Sequence, residues 1–292
     1  MATITDISDI INLTTTLVPS GSSILSPQLI PVYKDSRIPT GGAATTPVIG
    51  QWSSLWQYAG QPSNGLIPSG GVVNSGGVFF ETNVNTIGSL EQYDPVPGKQ
   101  LWLLGINFAS LTTGTLLIYD RLSHCANLNA TLSGAMVFTG ASITRYTGGV
   151  GNNIWAEIYT LIGATKTTIV ANYINQNGNN ATTQPANFGS VEFREAQRMI
   201  PLRLAEGDTG VRSVLSVVLS ASTGTAGNFG INIIHPLCYL NISQSGVAAI
   251  RDYITGLPTV VEILPGACLS FAWYANTTAV VQIHGELTLV NK

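Results

Sequence analysis

From residue 78 onward, apolar and polar positions follow the spacing of β-strands. The clearest case is residues 167–174, where Ile169, Ala171 and Tyr173 alternate with more polar positions. A period of two places successive side chains on opposite faces of a strand, so this segment is predicted to have one buried face. A helical period is nearly absent, and only residues 247–254 are predicted as a short helix.

Several strand-like runs come in consecutive pairs, each separated by a short stretch rich in Thr, Asn, Gly or Ala. Two extended runs joined by such a stretch are typical of a β-hairpin. We therefore predict hairpins that join residues 99–108 to 115–122, 154–162 to 167–174, 211–221 to 229–240, and 267–275 to 280–290.

Strands at this regular spacing predict an all-β fold, a jelly-roll-like antiparallel β-sandwich. The long gaps between some strand pairs favour Greek-key connections over a simple meander. No sharp change of composition divides residues 78–292, which we interpret as one domain.

Residues 1–50 have a different pattern, with short apolar runs broken repeatedly by proline. Each proline disfavours helix in the residue before it, so the segment is predicted to be an extended N-terminal arm. Such a segment forms no core of its own, and its apolar side chains need a surface to bury them. We expect it to lie along a neighbouring subunit, with a flexible tail as the alternative. The interface candidates in this arm are Leu29, Ile30, Val32 and Tyr33.

Residues 51–77 form a linker rich in Gly, Pro and Ser that holds Trp52, Trp56 and Tyr58. Large aromatic rings are costly to leave in water, so these three are expected to pin the linker onto the domain or onto a neighbour. They complete the set of predicted interface residues.

Charge is scarce in this chain of 292 residues. Only 9% of residues are charged while 45% are hydrophobic, and residues 38–80 and 213–250 contain no Asp, Glu, Lys or Arg. Ordinary soluble domains contain about 25% charged residues. A monomer with so few charges is at risk of self-association, whereas a subunit in a fixed assembly has its surface occupied. The composition favours the assembly, and a solitary protein with a Thr- and Asn-rich surface is the alternative.

The remaining composition excludes several classes of partner. The formal net charge is −3 and the basic residues are scattered, so we expect no direct nucleic-acid binding. There is no apolar run of roughly 20 residues and no signal-peptide pattern, so we expect no membrane contact and synthesis in a host cytoplasm. The cysteines Cys125, Cys238 and Cys268 are odd in number and widely spaced, which predicts buried free thiols rather than disulfides or a zinc site.

The densest cluster of reactive side chains lies in residues 119–125, which contain Asp120, Arg121, Ser123 and His124. On a regular strand Asp120 and His124 share one face while Arg121 and Ser123 occupy the other, so no Ser–His–Asp relay forms from these residues alone. We interpret Asp120, Arg121 and His124 as a structural polar cluster whose charges pair with other buried groups. We therefore predict no catalytic residue, no cofactor and no metal. A polysaccharide-cleaving enzyme has no positive support.

Several longer motifs carry a family resemblance. They are Ser-Leu-Trp-Gln-Tyr-Ala-Gly-Gln-Pro at 54–62, Leu-Ile-Tyr-Asp-Arg-Leu-Ser-His at 117–124, Gly-Asp-Thr-Gly-Val-Arg-Ser-Val-Leu-Ser-Val at 207–217 with Ser-Thr-Gly-Thr-Ala-Gly-Asn-Phe-Gly at 222–230, Ala-Cys-Leu-Ser-Phe at 267–271 and Gly-Glu-Leu-Thr-Leu-Val at 285–290. Together they resemble a family of tailed-phage virion structural proteins encoded among head and tail genes. The resemblance covers about residues 50–290 and implies a virion component without catalytic residues.

The functional prediction is a capsid decoration or cement protein on the virion surface that stabilises the shell. Its expected partners are copies of itself, as a homotrimer, and the phage major capsid protein. Two alternatives stay open: another phage structural component (major capsid or tail-tip protein), and a glycan-binding module that uses Trp or Tyr platforms.

Overall fold

The computed structural model describes residues 27–39, 47–67, 76–95, 97–140, 143–252 and 261–291. These ranges contain 18 β-strands and no helix. The strands are β1 (Gln28–Pro39), β2 (Trp52–Ser54), β3 (Tyr58–Gln61), β4 (Gly76–Glu81), β5 (Leu101–Ser110), β6 (Gly114–His124), β7 (Met136–Gly140), β8 (Asn153–Thr160), β9 (Thr167–Asn175), β10 (Asn180–Thr182), β11 (Ala186–Phe188), β12 (Arg198–Leu202), β13 (Val211–Leu219), β14 (Asn228–Ile242), β15 (Ala249–Asp252), β16 (Val261–Ile263), β17 (Leu269–Ala275) and β18 (Gln282–Asn291). The predicted all-β, antiparallel fold is confirmed, with β4 and β7 as a parallel pair.

The strands form three layers. One outer layer is a six-stranded sheet in the order β15-β5-β18-β1-β3, with β16 also beside β5. The middle layer is a closed barrel, in which β6, β14, β8, β12, β2 and β17 pair in turn and β17 returns to β6. The other outer layer contains β10, β11, β9, β13 and β7, and β4 joins it to the barrel.

Two apolar cores hold the layers together. The first contains Ile30, Phe108 and Leu287 from the six-stranded sheet and Ile118 and Phe271 from the barrel. The second packs the opposite side of the barrel against the other outer layer. Fully burying one such side chain contributes about 1.5–3 kcal/mol. The packing of an outer layer on each side of the barrel is therefore strongly stabilising.

The barrel strands are steeply tilted. The row of directly paired residues that begins at Asn241 runs through Thr115, Tyr274, Trp52, Met199 and Glu157. It returns to β14 at Gly230, eleven residues from where it began. Such a stagger is what closes a small barrel, and it leaves an interior that side chains fill.

All four predicted hairpins are wrong in their pairing, although each predicted strand exists. β5 and β6, β8 and β9, β13 and β14, and β17 and β18 are consecutive in sequence, yet each pair is divided between the barrel and an outer layer. Each connecting loop therefore crosses from one layer to the next. The physical reason is burial: β8 is covered on both faces, whereas β9 has one buried and one half-exposed face.

The short helix predicted for residues 247–254 is also wrong in its described part. Residues 249–252 form β15, which pairs with β5. Pairing with an existing sheet edge satisfies the backbone groups that a free segment of this length would leave unpaired.

The N-terminal segments contribute strands to the layers. β1 lies between β18 and β3, so residues 28–39 are part of the six-stranded sheet. In the linker, β2 is a barrel strand and β3 is a sheet edge. Residues 1–26, 40–46 and 68–75 lie outside the described residues.

Candidate functional site

The two charged side chains of β6, Asp120 and Arg121, lie on opposite sides of the barrel wall. Asp120 faces outward, where Arg145 donates from Nε to Oδ2 at 2.8 Å and from Nη2 to Oδ1 at 2.9 Å. The backbone N–H of Cys268 donates to the same Oδ1 at 2.9 Å. Arg121 faces into the barrel, as alternation along a strand requires.

Arg121 is the centre of a polar cluster inside the barrel. Its guanidinium forms an ion pair with Glu157 and donates to Asn232 Oδ1 at 2.8 Å. Asn232 Nδ2 donates back to Glu157 at 2.7 Å, and the Tyr159 hydroxyl donates to the same carboxylate oxygen at 3.1 Å. The Trp56 ring lies 4.3 Å from the guanidinium carbon, within the range of a cation–π contact. We call Arg121, Glu157, Asn232, Tyr159 and Trp56 the interior cluster.

His124 joins the interior cluster because β6 contains one extra residue. The register against β14 shifts between Arg121 and Ser123, which leaves Leu122 unpaired and reverses the alternation beyond it. His124 therefore lies opposite Asn232 and meets the Trp56 ring edge-on at 5.9 Å. Burial, reinforced by the positive charge of Arg121, lowers the pKa of His124 well below its usual value. The imidazole is consequently neutral at pH 7.

The interior cluster has the chemistry of a structural site. Arg121, Glu157 and Asn232 are fully buried. Arg121 Nη2, Glu157 Oε2 and the Asn232 amide engage one another, while Arg121 Nε and Nη1 and Glu157 Oε1 are buried without a hydrogen-bond partner in the described part of the chain. The side chains have no exposure to solvent through which a substrate could reach them. Among the residues that the structure describes, no three His, Cys, Asp or Glu side chains are grouped so that they could hold a metal ion.

The sequence analysis did not single out Glu157, Asn232 or Tyr159, and of these Glu157 left a signal in the sequence. It is the one charge in the apolar run Ile154-Trp-Ala-Glu-Ile-Tyr, which the pattern already assigns to a strand. A lone carboxylate in a strand with no polar face implies a buried cationic partner. That signal was present in the sequence, but it does not identify Arg121 as the partner.

The seven predicted interface residues separate into three groups. Ile30, Val32, Trp56 and Tyr58 are buried within the chain itself. Trp52 is half-buried at one end of the barrel. Leu29 and Tyr33 are exposed, at 62% and 40%, so these two retain side chains that a partner could cover.

The end of the barrel opposite the interior cluster is lined by aromatic rings. Trp52 lies at its centre, with ring centroids 5.5 Å from Trp155, 6.2 Å from Tyr239 and 5.3 Å from Tyr274. Beside these rings, Asn241, Thr115 and Tyr274 occupy adjacent strands in one interior-facing row. We call Trp52, Thr115, Tyr239, Asn241 and Tyr274 the barrel mouth. Below it, Leu117, Met199, Ile234 and Ala272 fill the interior.

A polar depression opens beside the barrel mouth. It has a volume of about 790 Å³ and is lined by Asn152, Asn153, Gln184 and residues 201–209. Asn153 is two residues from Trp155 on the same face of β8, and Pro201 pairs directly with Trp155. This depression, the side cleft, therefore adjoins Trp155, whose ring contacts Trp52 of the barrel mouth.

In the described part of the chain, no helix is long and apolar enough to cross a membrane.

Comparison with known proteins gives no family. No family model matches the chain, and no curated protein matches it as a relative. Among solved structures, the chain is similar to the VP2 subviral particle of infectious bursal disease virus, with 9% identity and a TM-score of 0.18 over 96% of this chain and 86% of that one. It is also similar to a structure of the Gx strain of that virus, with 10% identity and a TM-score of 0.21 over 97% and 85%. This weak likeness to virus particle proteins is too low to carry an argument about fold or function.

Proposed function

We propose that this chain is a structural protein of a virus particle, and specifically a tailed-phage capsid decoration protein that binds the major capsid protein and stabilises the shell. The observation that carries the proposal is where the molecule places its charge. The chain has 12 basic and 15 acidic residues. Among the described residues, seven of them are buried: Lys34, Asp35, Asp120, Arg121, Arg145, Glu157 and Arg198. At most 20 of the 27 charged residues therefore remain for the surface of this 292-residue chain, which leaves the surface poor in charge.

The outer face of the six-stranded sheet presents several large apolar side chains to solvent. On β1, Leu29, Pro31 and Tyr33 point outward while Ile30 and Val32 point into the core.

Across the sheet, the row that contains Pro31 continues through Glu286 and Asn107 to Ile250, which is 69% exposed. We call Leu29, Pro31, Tyr33, Asn107, Ile250 and Glu286 the outer face. Large exposed apolar side chains on a contiguous face are typical of a protein-binding surface.

We propose that a neighbouring subunit of the shell covers the outer face. Glu286 is the one charged side chain among the six residues of the outer face, so a contact that covers this face desolvates a single ion, which suits a permanent interface. The motif resemblance to tailed-phage structural proteins supports the same assignment. A homotrimer that presents three such faces to the shell is the arrangement we propose, assembled in the host cytoplasm without nucleic acid or membrane.

The proposal is tested by binding to particles that lack the protein. Particles made after deletion of its gene are mixed with the purified full chain and sedimented. The wild-type chain is expected to pellet saturably with the particles, and Leu29→Lys with Ile250→Lys should weaken binding at least tenfold. Val191→Lys is the matched control, since Val191 is 68% exposed and follows β11 in the other outer layer.

A chain that stays in the supernatant at all concentrations contradicts the proposal. Equal loss of binding in the Val191→Lys control removes the outer face from it.

A further inference from the structure

We propose that the barrel mouth and the adjoining side cleft bind a neutral saccharide. A pyranose ring would stack on the aromatic side chains of the mouth, and further sugar units would lie in the cleft. The barrel mouth shares no residue with the outer face, so sugar binding there is independent of the proposed virion role.

The aromatic rings of the mouth are placed where a ligand can reach them. Tyr239 is 44% exposed, and Trp52 and Tyr274 are half-buried. The planes of the rings paired with Trp52 are inclined by 58–78°, so none of these pairs is stacked face to face. The 44% exposed Tyr239 offers ring surface to the C–H groups of a sugar, which pack against the electron-rich face of Trp or Tyr.

The barrel interior limits how deep a ligand can sit. Leu117, Met199, Ile234 and Ala272 lie below Trp52, and all four are buried. A ligand is consequently held at the mouth, with an apolar floor beneath it and polar groups around it. Mouths of β-barrels are common ligand sites for this reason.

Neutral hydrogen-bonding groups surround the rings. Thr115 and Asn241 lie in the same row as Tyr274, and Asn241 is exposed. Asn153, at the start of β8, uses its amide N–H₂ to donate to the Gly151 carbonyl at 2.7 Å, which leaves the amide oxygen to accept from a ligand. Hydroxyl groups of a sugar donate and accept in turn, so a rim of amides and hydroxyls matches them.

The side cleft extends this rim. Gln184, Arg203 and Glu206 line it with exposed side chains that offer both donors and acceptors. Both carboxylate oxygens of Asp208 already accept hydrogen bonds, from the Tyr173 hydroxyl to Oδ2 at 2.5 Å and from the Asn175 amide to Oδ1 at 2.8 Å. Asp208 is therefore part of the cleft wall and is not proposed as a ligand contact. A volume of about 790 Å³ lies in the range of ordinary small-ligand sites and leaves room for more than one sugar unit.

The charge pattern favours a neutral saccharide over a nucleic-acid strand. Bases also stack on aromatic rings, but strand binding needs a row of cationic groups for the phosphates. The cleft has Arg203 with Glu206 and Asp208 in the same wall, so its charges cancel or are slightly negative. A proline-rich peptide also docks on Trp and Tyr, yet it would leave the polar groups of the cleft unused.

The test is a titration of the purified full chain followed by saturation-transfer difference NMR. The probes are maltotriose, cellotriose and the N-acetylglucosamine trimer, with a proline decapeptide and a thymidine oligonucleotide as competitors from other classes. At least one trisaccharide is expected to bind, and Tyr239→Ala and Arg203→Ala should each weaken it, the first at least tenfold. Both side chains are exposed, so these variants are expected to fold, which circular dichroism verifies.

The matched control is Tyr93→Ala. Tyr93 is 58% exposed and is tied to β1 through backbone bonds to the Gln28 side chain, at the far end of the molecule from the mouth. Sugar binding that survives this change and falls in Tyr239→Ala supports the site. No binding of any trisaccharide at millimolar concentration overturns the proposal, as does equal loss in the control or binding of the peptide or oligonucleotide alone.

Discussion

The barrel interior and the outer face of the six-stranded sheet reverse the usual distribution of side chains. Inside the barrel, Arg121 and Glu157 are fully buried as an ion pair with Asn232. On the outer face, Leu29 and Ile250 are more than half exposed. Charged groups are normally outside and large apolar groups inside. We infer that the interior cluster specifies how the barrel closes, and we propose that the outer face is a contact surface.

The largest expected effect comes from breaking the interior ion pair. Glu157→Leu leaves the Arg121 charge buried without its counterion, and loss of one partner of such a pair costs about 3–5 kcal/mol. Guanidinium unfolding at pH 7 measures this as a fall in the free energy of unfolding.

The double variant Arg121→Met with Glu157→Leu is the control for that prediction. It removes both charges together and should recover most of the loss, because an apolar pair of similar volume is often as stable as a buried ion pair. A double variant as unstable as Glu157→Leu would show that the cost comes from packing and not from the unpaired charge.

The next effect concerns the pH dependence that Lys34 confers. Its ammonium is buried and donates to the carbonyl oxygens of Tyr58 at 2.9 Å and Ser63 at 3.2 Å, and burial lowers the pKa of Lys34 from 10.5 to about 7. Between pH 7 and 10.5 the unfolded chain holds this proton and the folded chain does not, so the free energy of unfolding rises with pH in that window.

Lys34→Met removes this contribution. Relative to the variant, the wild-type protein is expected to gain about 1 kcal/mol of stability for each pH unit between 7 and 9. Urea unfolding of both proteins at pH 7, 8 and 9 gives the difference. A gap that stays constant across these pH values would mean that Lys34 has an ordinary pKa in the folded protein.

The smallest effect on stability is expected on the outer face. Leu29→Ala should change the free energy of unfolding by no more than about 0.5 kcal/mol, because the side chain contributes little to the core. Ile30→Ala, one position along the same strand, removes a buried side chain and should cost about 2–5 kcal/mol. Thermal or urea unfolding of the two variants compares the faces of β1 directly. Similar losses in both would show that Leu29 is buried in solution.

The sequence predicted the strands better than their partners. Alternation identified the buried face of β9, since Ile169, Ala171 and Tyr173 are all fully buried. The hairpin predictions failed because a short loop that crosses between layers has the same Thr-, Asn- and Gly-rich composition as one that turns back. The sequence did contain one sign that β8 belongs to a middle layer, because residues 154–159 are mostly apolar on both faces of the strand. The structure buries both of these faces.

Local sequence patterns could not predict the closed barrel. Its closure depends on β2 pairing with β12 and β17, whose partner residues are more than 100 positions away in the chain. The interior position of His124 depends on one unpaired residue, Leu122, which a regular alternation does not anticipate. Asp120 and Arg121 were predicted on opposite faces, and the structure places them so, with Arg145 and Glu157 as partners that only tertiary packing selects.

We propose that the outer face is covered by a neighbouring subunit in a virus particle. A cryo-electron microscopy map of the particles, at a resolution that shows side chains, is the decisive experiment. We expect density for this chain on the shell, with Leu29, Tyr33 and Ile250 in contact with another subunit. A particle map in which the chain is present but these three side chains face solvent, or from which the chain is missing, would contradict it.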